Sequence, residues 1–75
     1  MAKLSPVKPR KLLRFLKKEE FCEVRQKGSH KFFRHQDGRT TVVPYHPKEE
    51  IRPGLLRKIL HDIEISPEEF VRETR

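Results

Sequence analysis

Apolar residues recur along this chain with two different periods. From Arg10 to Glu19, Leu12, Leu13, Phe15 and Leu16 fall within one arc of roughly 160° at helical spacing, with Arg10, Lys11, Arg14, Lys17 and Lys18 on the other side. That spacing predicts a helix. From Phe21 the period shortens to two: Cys22 and Val24 alternate with Glu23 and Arg25 as far as Lys27, Gly28-Ser29 interrupts, and His30 to His35 resumes with two adjacent Phe residues. Asp37-Gly38 signals a tight two-residue hairpin turn, because Gly tolerates the positive φ it demands. A third strand runs from Arg39 to Val43 and ends before Pro44, which lacks a ladder donor. Connections this short make an antiparallel meander.

Beyond a loop at 45–51, Pro53-Gly54 opens a second helix with Leu55, Leu56, Ile59, Leu60 and Ile63 on one face. Ser66-Pro67-Glu68-Glu69 has the capping-box pattern and begins a short third helix, which Phe70 and Val71 pack back onto the body. Residues 1–9, with Ser5-Pro6 and Lys8-Pro9 and no periodicity, read as a loosely held arm, and residues 10–75 as a single domain. The expected fold is a two-layer α+β domain, with a three-stranded antiparallel sheet and its helices on one face.

Charge changes the picture more than composition does. With 18 Lys and Arg against 11 Asp and Glu, the 75 residues carry a net charge of +7, the footprint of a protein that meets polyanions. Nucleic acid leads as a partner. An anionic membrane competes, but no apolar run is long enough for a spanning helix or a signal-peptide core, so a soluble cytoplasmic chain is expected. A chain this short buries only about 60 to 65% of its surface, which leaves a thin core and no deep cavity. Cys22, the one cysteine, reads as a buried thiol acting as a small hydrophobe. The basic side of the first helix is either a solvated surface or a phosphate contact.

Candidate chemistry gathers at Gly28-Ser29-His30, between Lys27 and Lys31. Histidine is the side chain that titrates near neutral pH, and here it lies in a basic, aromatic-bearing stretch. Alternation puts His30, Phe32 and Arg34 on one sheet face and Lys31, Phe33 and His35 on the other. Phe33 is assigned to the core, since the opposite choice would bury Arg34 beneath the helices without a partner. His30, Phe32 and Arg34 then form an open row suited to RNA, in which the aromatic stacks a base, the cation holds phosphate and the imidazole moves protons. A strand histidine after Gly-Ser is equally compatible with an ordinary turn.

The run Val24-Arg25-Gln26-Lys27-Gly28-Ser29-His30, then Phe33, His35-Gln36-Asp37-Gly38-Arg39, Val42-Val43-Pro44-Tyr45-His46 and Ile51-Arg52-Pro53-Gly54-Leu55-Leu56-Arg57-Lys58-Ile59-Leu60 resembles the HicA toxins of prokaryotic toxin–antitoxin pairs. The resemblance extends from about Pro9 to Val71. It implies a fold like a double-stranded-RNA-binding domain, a ribosome-independent endoribonuclease that cleaves messenger RNA, and a HicB antitoxin that neutralises it. The family's catalytic histidine, the one after Gly-Ser, corresponds to His30. Gln36 stands where many members have Pro before Asp-Gly, a change confined to a turn.

The expected mechanism uses His30 as general acid or base, with Lys27, Lys31 and Arg34 on phosphate, Ser29 or nearby backbone amides supporting the oxyanion, and Gly28 allowing the RNA a close approach to the backbone. No cofactor is needed, and chelators should have no effect. His46, just after the third strand, is a candidate auxiliary group. His35 should point inward or to the hairpin end, and His61 lies on the polar side of the second helix. A metal site from His30, His35 and His46 lacks paired ligand spacing and a grouped carboxylate or Cys. Two other readings stand beside the nuclease: a non-catalytic RNA-binding module, and a DNA-binding helix-turn-helix over Pro53 to Arg72. The antitoxin is expected to cover His30 and Arg34 directly.

Overall fold

Proline starts each helix among the described residues, at a position where its missing N–H costs the helical ladder nothing. In the computed structural model, which describes residues 3–75, α1 spans Pro9–Lys18, α2 Pro53–Asp62 and α3 Pro67–Thr74. Pro9 is itself buried, and α1 begins one residue before the Arg10 start that its spacing predicted. At α3, Ser66 Oγ accepts a hydrogen bond from the Glu69 backbone N–H at 3.1 Å, the cap its sequence called for.

Two helices end in the same way. After α1, Glu20 takes a φ of 69°, its N–H donates to the Lys17 carbonyl, and the Phe21 N–H donates to the Leu16 carbonyl. After α2, Glu64 takes a φ of 58°, its N–H donates to the His61 carbonyl, and the Ile65 N–H donates to the Leu60 carbonyl. Both are Schellman motifs with glutamate in the left-handed position that glycine usually fills. Each turns the next apolar residue, Phe21 or Ile65, into the core.

β1 (Cys22–Lys27), β2 (His30–Arg34) and β3 (Thr40–Pro44) form one antiparallel sheet in the order β1-β2-β3. The β2–β3 connection differs from the two-residue turn expected at Asp37-Gly38. His35 N–H donates to the Arg39 carbonyl and Gly38 N–H to the His35 carbonyl, which leaves Gln36-Asp37-Gly38 as a three-residue loop. Gly38, at a φ of 99°, supplies the positive-φ residue that ends such a loop.

The helices cover one side of the sheet, where Phe33, Thr41 and Val43 are buried against Leu12, Phe15, Leu16, Leu56, Ile59 and Leu60. Thr41, the one buried polar residue of the core, donates to Asp62 Oδ2 at 3.1 Å and so ties β3 to the end of α2. Arg39 Nη1 donates to the carbonyl of Ile63, the C-cap of α2. This is the α+β arrangement expected, and its element order is compatible with a double-stranded-RNA-binding-domain-like fold. No helix among the described residues is long and apolar enough to cross a membrane.

Two expectations about burial change. Residues 1–9 read as a loose arm; Met1 and Ala2 lie outside the described residues, but Leu4 and Val7 are buried, and Val7 exchanges both backbone hydrogen bonds with Ile51, at 3.0 and 2.7 Å. The apolar pair gives the segment something to bury, which its prolines concealed. Cys22, expected to be buried, is exposed. The pairing shifts between Glu23 and Arg25, so Cys22 faces the same side as Arg34 while Val24 sits on a bulge at 57% exposure.

Candidate functional site

Gly28 and Ser29 are the two central residues of the β1–β2 turn, closed by the Lys27–His30 pair. Gly28 has a φ of 58° and Ser29 is not among the positive-φ residues, the signature of a II′ hairpin turn. The glycine is therefore demanded by backbone geometry. A Cβ placed on it would meet no atom within 4 Å, so the position is open to a ligand.

From that turn β2 carries the outward row. His30 and Arg34 are exposed and Phe32 is half-buried, spaced about 7 Å apart along the strand. Lys27 and Pro44 flank His30, Arg25 and Val42 flank Phe32, and Cys22 and Thr40 flank Arg34. Val42, at 37% exposure, extends the apolar centre of this face. The Arg25 guanidinium lies over the Phe32 ring, 4.4 Å from its centroid. Sequence alternation put Arg25 on the same side as Glu23; the bulge at Val24 turns it to the outer face, and no pattern in the residues announced that.

Lys31 stands apart from this row. It is on the helix side of the sheet with Glu23 and Gln26, and its Nζ donates to Glu23 Oε1 and Gln26 Oε1, both at 3.2 Å. The same ammonium lies 5.0 Å from the centroid of the Tyr45 ring. Tyr45 in turn donates its backbone N–H to the Ser29 carbonyl at 2.6 Å, which ties the segment after β3 to the catalytic-candidate turn. His46, the next residue along the chain, is exposed.

The remaining histidines lie elsewhere. His35 is at the far end of β2 from His30, about 16 Å along the strand, where its ring packs on Phe21 at 5.1 Å between centroids. The Asp37 backbone N–H donates to its Nδ1 at 3.1 Å. Asp37 in turn has its carboxyl held below the usual carboxylate range, chiefly by the Arg39 backbone N–H and then by the Arg39 side chain. His61 is exposed on α2. His30, His35 and His46 are not brought together, and no group of three or more His, Cys, Asp or Glu among the described residues is placed to hold a metal.

The helix-turn-helix alternative meets a different obstacle. Leu56, Ile59 and Leu60 of α2 and Phe70 of α3 are buried, and the first turn of α3, the end that would face bases, carries Glu68 and Glu69.

Tyr45 also lines a concavity on the α1 side of the molecule. A cleft of about 510 Å³ lies along α1, bordered by Lys8, Arg10, Lys11, Arg14 and Lys18 together with Tyr45 and Glu73. Lys18 Nζ donates to Glu73 Oε1 at 2.9 Å. That bond raises the Lys18 pKa above its usual value and lowers that of Glu73.

Comparison with known proteins bears on the whole of this arrangement. No curated protein matches the chain. The family model described as the HicA toxin of bacterial toxin–antitoxin matches residues 9–65, a span that takes in α1, the Gly28-Ser29-His30 turn, the complete sheet and α2. A match over well over half the chain, including every residue of the outward row, shows that this protein belongs to the HicA toxin family of bacterial toxin–antitoxin systems.

Proposed function

We propose that this chain is an endoribonuclease that cleaves messenger RNA at the β2 face, with His30 transferring protons and a HicB antitoxin as its inhibitor. Membership of the toxin family implies an antitoxin partner. The observation that carries the rest is the outward row of exposed His30, half-buried Phe32 and exposed Arg34, with Lys27 opposite His30.

RNA brings its own nucleophile. The 2′-oxygen attacks the adjacent phosphorus, the P–O5′ bond breaks, one proton leaves the 2′-hydroxyl and one reaches the departing 5′-oxygen. The products are a 2′,3′-cyclic phosphate, or its hydrolysed form, and a 5′-hydroxyl. His30 supplies one of the two proton transfers, as acid or as base. Water, the RNA or a neighbour such as His46 completes the cycle. Lys27 and Arg34 bind phosphate on either side of the imidazole, and the stack of Arg25 on Phe32 offers a base a flat, cationic surface. Ser29 and the amides of the Gly28 turn face the developing oxyanion. Lys31, already paired with Glu23, contributes charge from the edge of the site.

Induction of the wild type and of His30→Ala in cells, with growth and transcript integrity followed, tests the reading. The wild type should arrest growth and degrade transcripts, and purified His30→Ala should lose about 10²- to 10⁴-fold in cleavage rate while still binding RNA. Unchanged transcript decay in the variant would identify a non-catalytic RNA-binding module. The antitoxin should cover the same row, so Arg34→Glu should weaken its binding; a complex that leaves His30 open to solvent would contradict the masking.

A further inference from the structure

We propose that the cleft along α1 continues the RNA site. The phosphates of a single strand held at His30 pass around the end of the sheet, over Tyr45, and onto Lys11 and Arg14. This rests on the RNA-cleaving reading above and extends it to residues beyond the β2 face.

Four observations meet at this cleft. Lys8, Arg10, Lys11, Arg14, Lys18 and Arg75 all border it and all are exposed. Lys18 is the one of these six that makes a salt bridge among the described residues, and its partner is Glu73. The other five make no salt bridge among the described residues, and Glu73, already bonded to Lys18, is the one acidic side chain in the cleft lining. Arg10 and Arg14, Arg14 and Lys18, and Lys11 and Arg14 stand at helical spacings of four, four and three, where like charges repel. The first turn of α1 holds no acidic residue, so its cations also sit at the positive end of the helix dipole. An exposed helix gains nothing from that arrangement when alone. A polyanion in the cleft relieves both repulsions together and releases its counterions.

Tyr45 makes the cleft continuous with the β2 face. Tyr45 lines the cleft, its backbone N–H bonds to the Ser29 carbonyl at 2.6 Å, and the Lys31 ammonium stands over its ring. A strand leaving His30 along the Ser29 side therefore meets an aromatic ring and then a row of cations. Single-stranded RNA fits that sequence of surfaces, a cationic groove with an aromatic platform at its entry.

The test uses the full chain with His30→Ala, and a labelled 12-nucleotide single-stranded RNA of mixed sequence, with anisotropy measured across a potassium chloride series. Replacing two phosphate-binding cations by Lys11→Gln and Arg14→Gln should make the slope of log K against log salt shallower by about 1.4, and weaken binding at low salt by more than about tenfold. Arg57→Gln with Lys58→Gln, the same loss of charge on exposed α2 positions, should leave the slope in place. The swap Lys11→Arg with Arg14→Lys should keep it too, and circular dichroism melts check that each variant folds. An unchanged slope in the α1 pair, or an equal loss in both pairs, would overturn the inference. So would unaltered RNA binding by the α1 pair combined with lost capture by the purified antitoxin, which would make the cleft a protein contact. With His30 restored, the α1 pair should raise KM for the RNA and keep kcat. If His30→Ala proved as active as the wild type, the nuclease reading would fall, and the salt slopes would still decide the cleft.

Discussion

Phe32 and Phe33 are adjacent and do opposite things. Phe33 is 6% exposed and faces the helices, while Phe32 is half-buried beneath the Arg25 guanidinium. Truncation of each should separate stability from binding: Phe33→Ala should cost about 3–5 kcal/mol in a urea titration. Phe32→Ala should cost far less stability and instead weaken single-stranded RNA binding by about 1–3 kcal/mol. This division was legible in the sequence, because only one of the two faces of β2 can be buried without desolvating Arg34. The same logic failed one strand away. Alternation in β1 placed Cys22 and Val24 together on an inner face, but the bulge at Val24 resets the phase, and that irregularity leaves no mark in residue type. Hence Cys22 is exposed, and Arg25 joins the outward row unforeseen.

Helix ends explain why the strands begin where they do. The Schellman motif after α1 places Phe21 in the core and releases the chain into β1 at Cys22. Glutamate at its left-handed position is strained relative to glycine. Glu20→Gly and Glu64→Gly should therefore each stabilise the protein by about 0.5–1 kcal/mol after the entropy that glycine adds to the unfolded chain, readable as a rise in the urea midpoint. At α3 the sign is reversed, and Ser66→Ala should cost about 1 kcal/mol by removing the cap on the Glu69 N–H. The Lys18–Glu73 pair joins α1 to α3 with a pH signature of its own. The Glu73 pKa is lowered below its usual 4.5 by the hydrogen bond from Lys18, so its contribution is present above pH 4.5 and is lost as pH falls through the folded value. The Lys18 pKa is raised above 10.5, so the same contact is lost again as pH climbs past that point. The Tm difference between the wild type and Glu73→Gln should accordingly shrink at both extremes. Helix starts and the Ser66 cap were written in proline and serine; the helix stops were hidden, because glutamate is an unusual residue for the conformation it takes.

At the scale of the molecule, the segment before α1 matters more than its composition suggested. Leu4 and Val7 contribute to the one hydrophobic core, and Val7 pairs with Ile51 ahead of α2. In a 75-residue chain with a thin core, deletion of residues 1–7 should cost about 3 kcal/mol and lower Tm by well over 10 °C, measured by calorimetry. The sequence by itself determined the α+β order, the meander, the inward choice of Phe33 and the family-like turn that carries His30, because these depend on local period and on turn chemistry within a few residues. Only the tertiary structure decided which neighbours each basic residue meets. Lys31 was sent to Glu23, Arg25 was turned onto Phe32, and the cations of α1 were set beside Tyr45. Those groupings depend on strand register and on the packing of a helix against a distant loop, and neither is a property of any short stretch of chain.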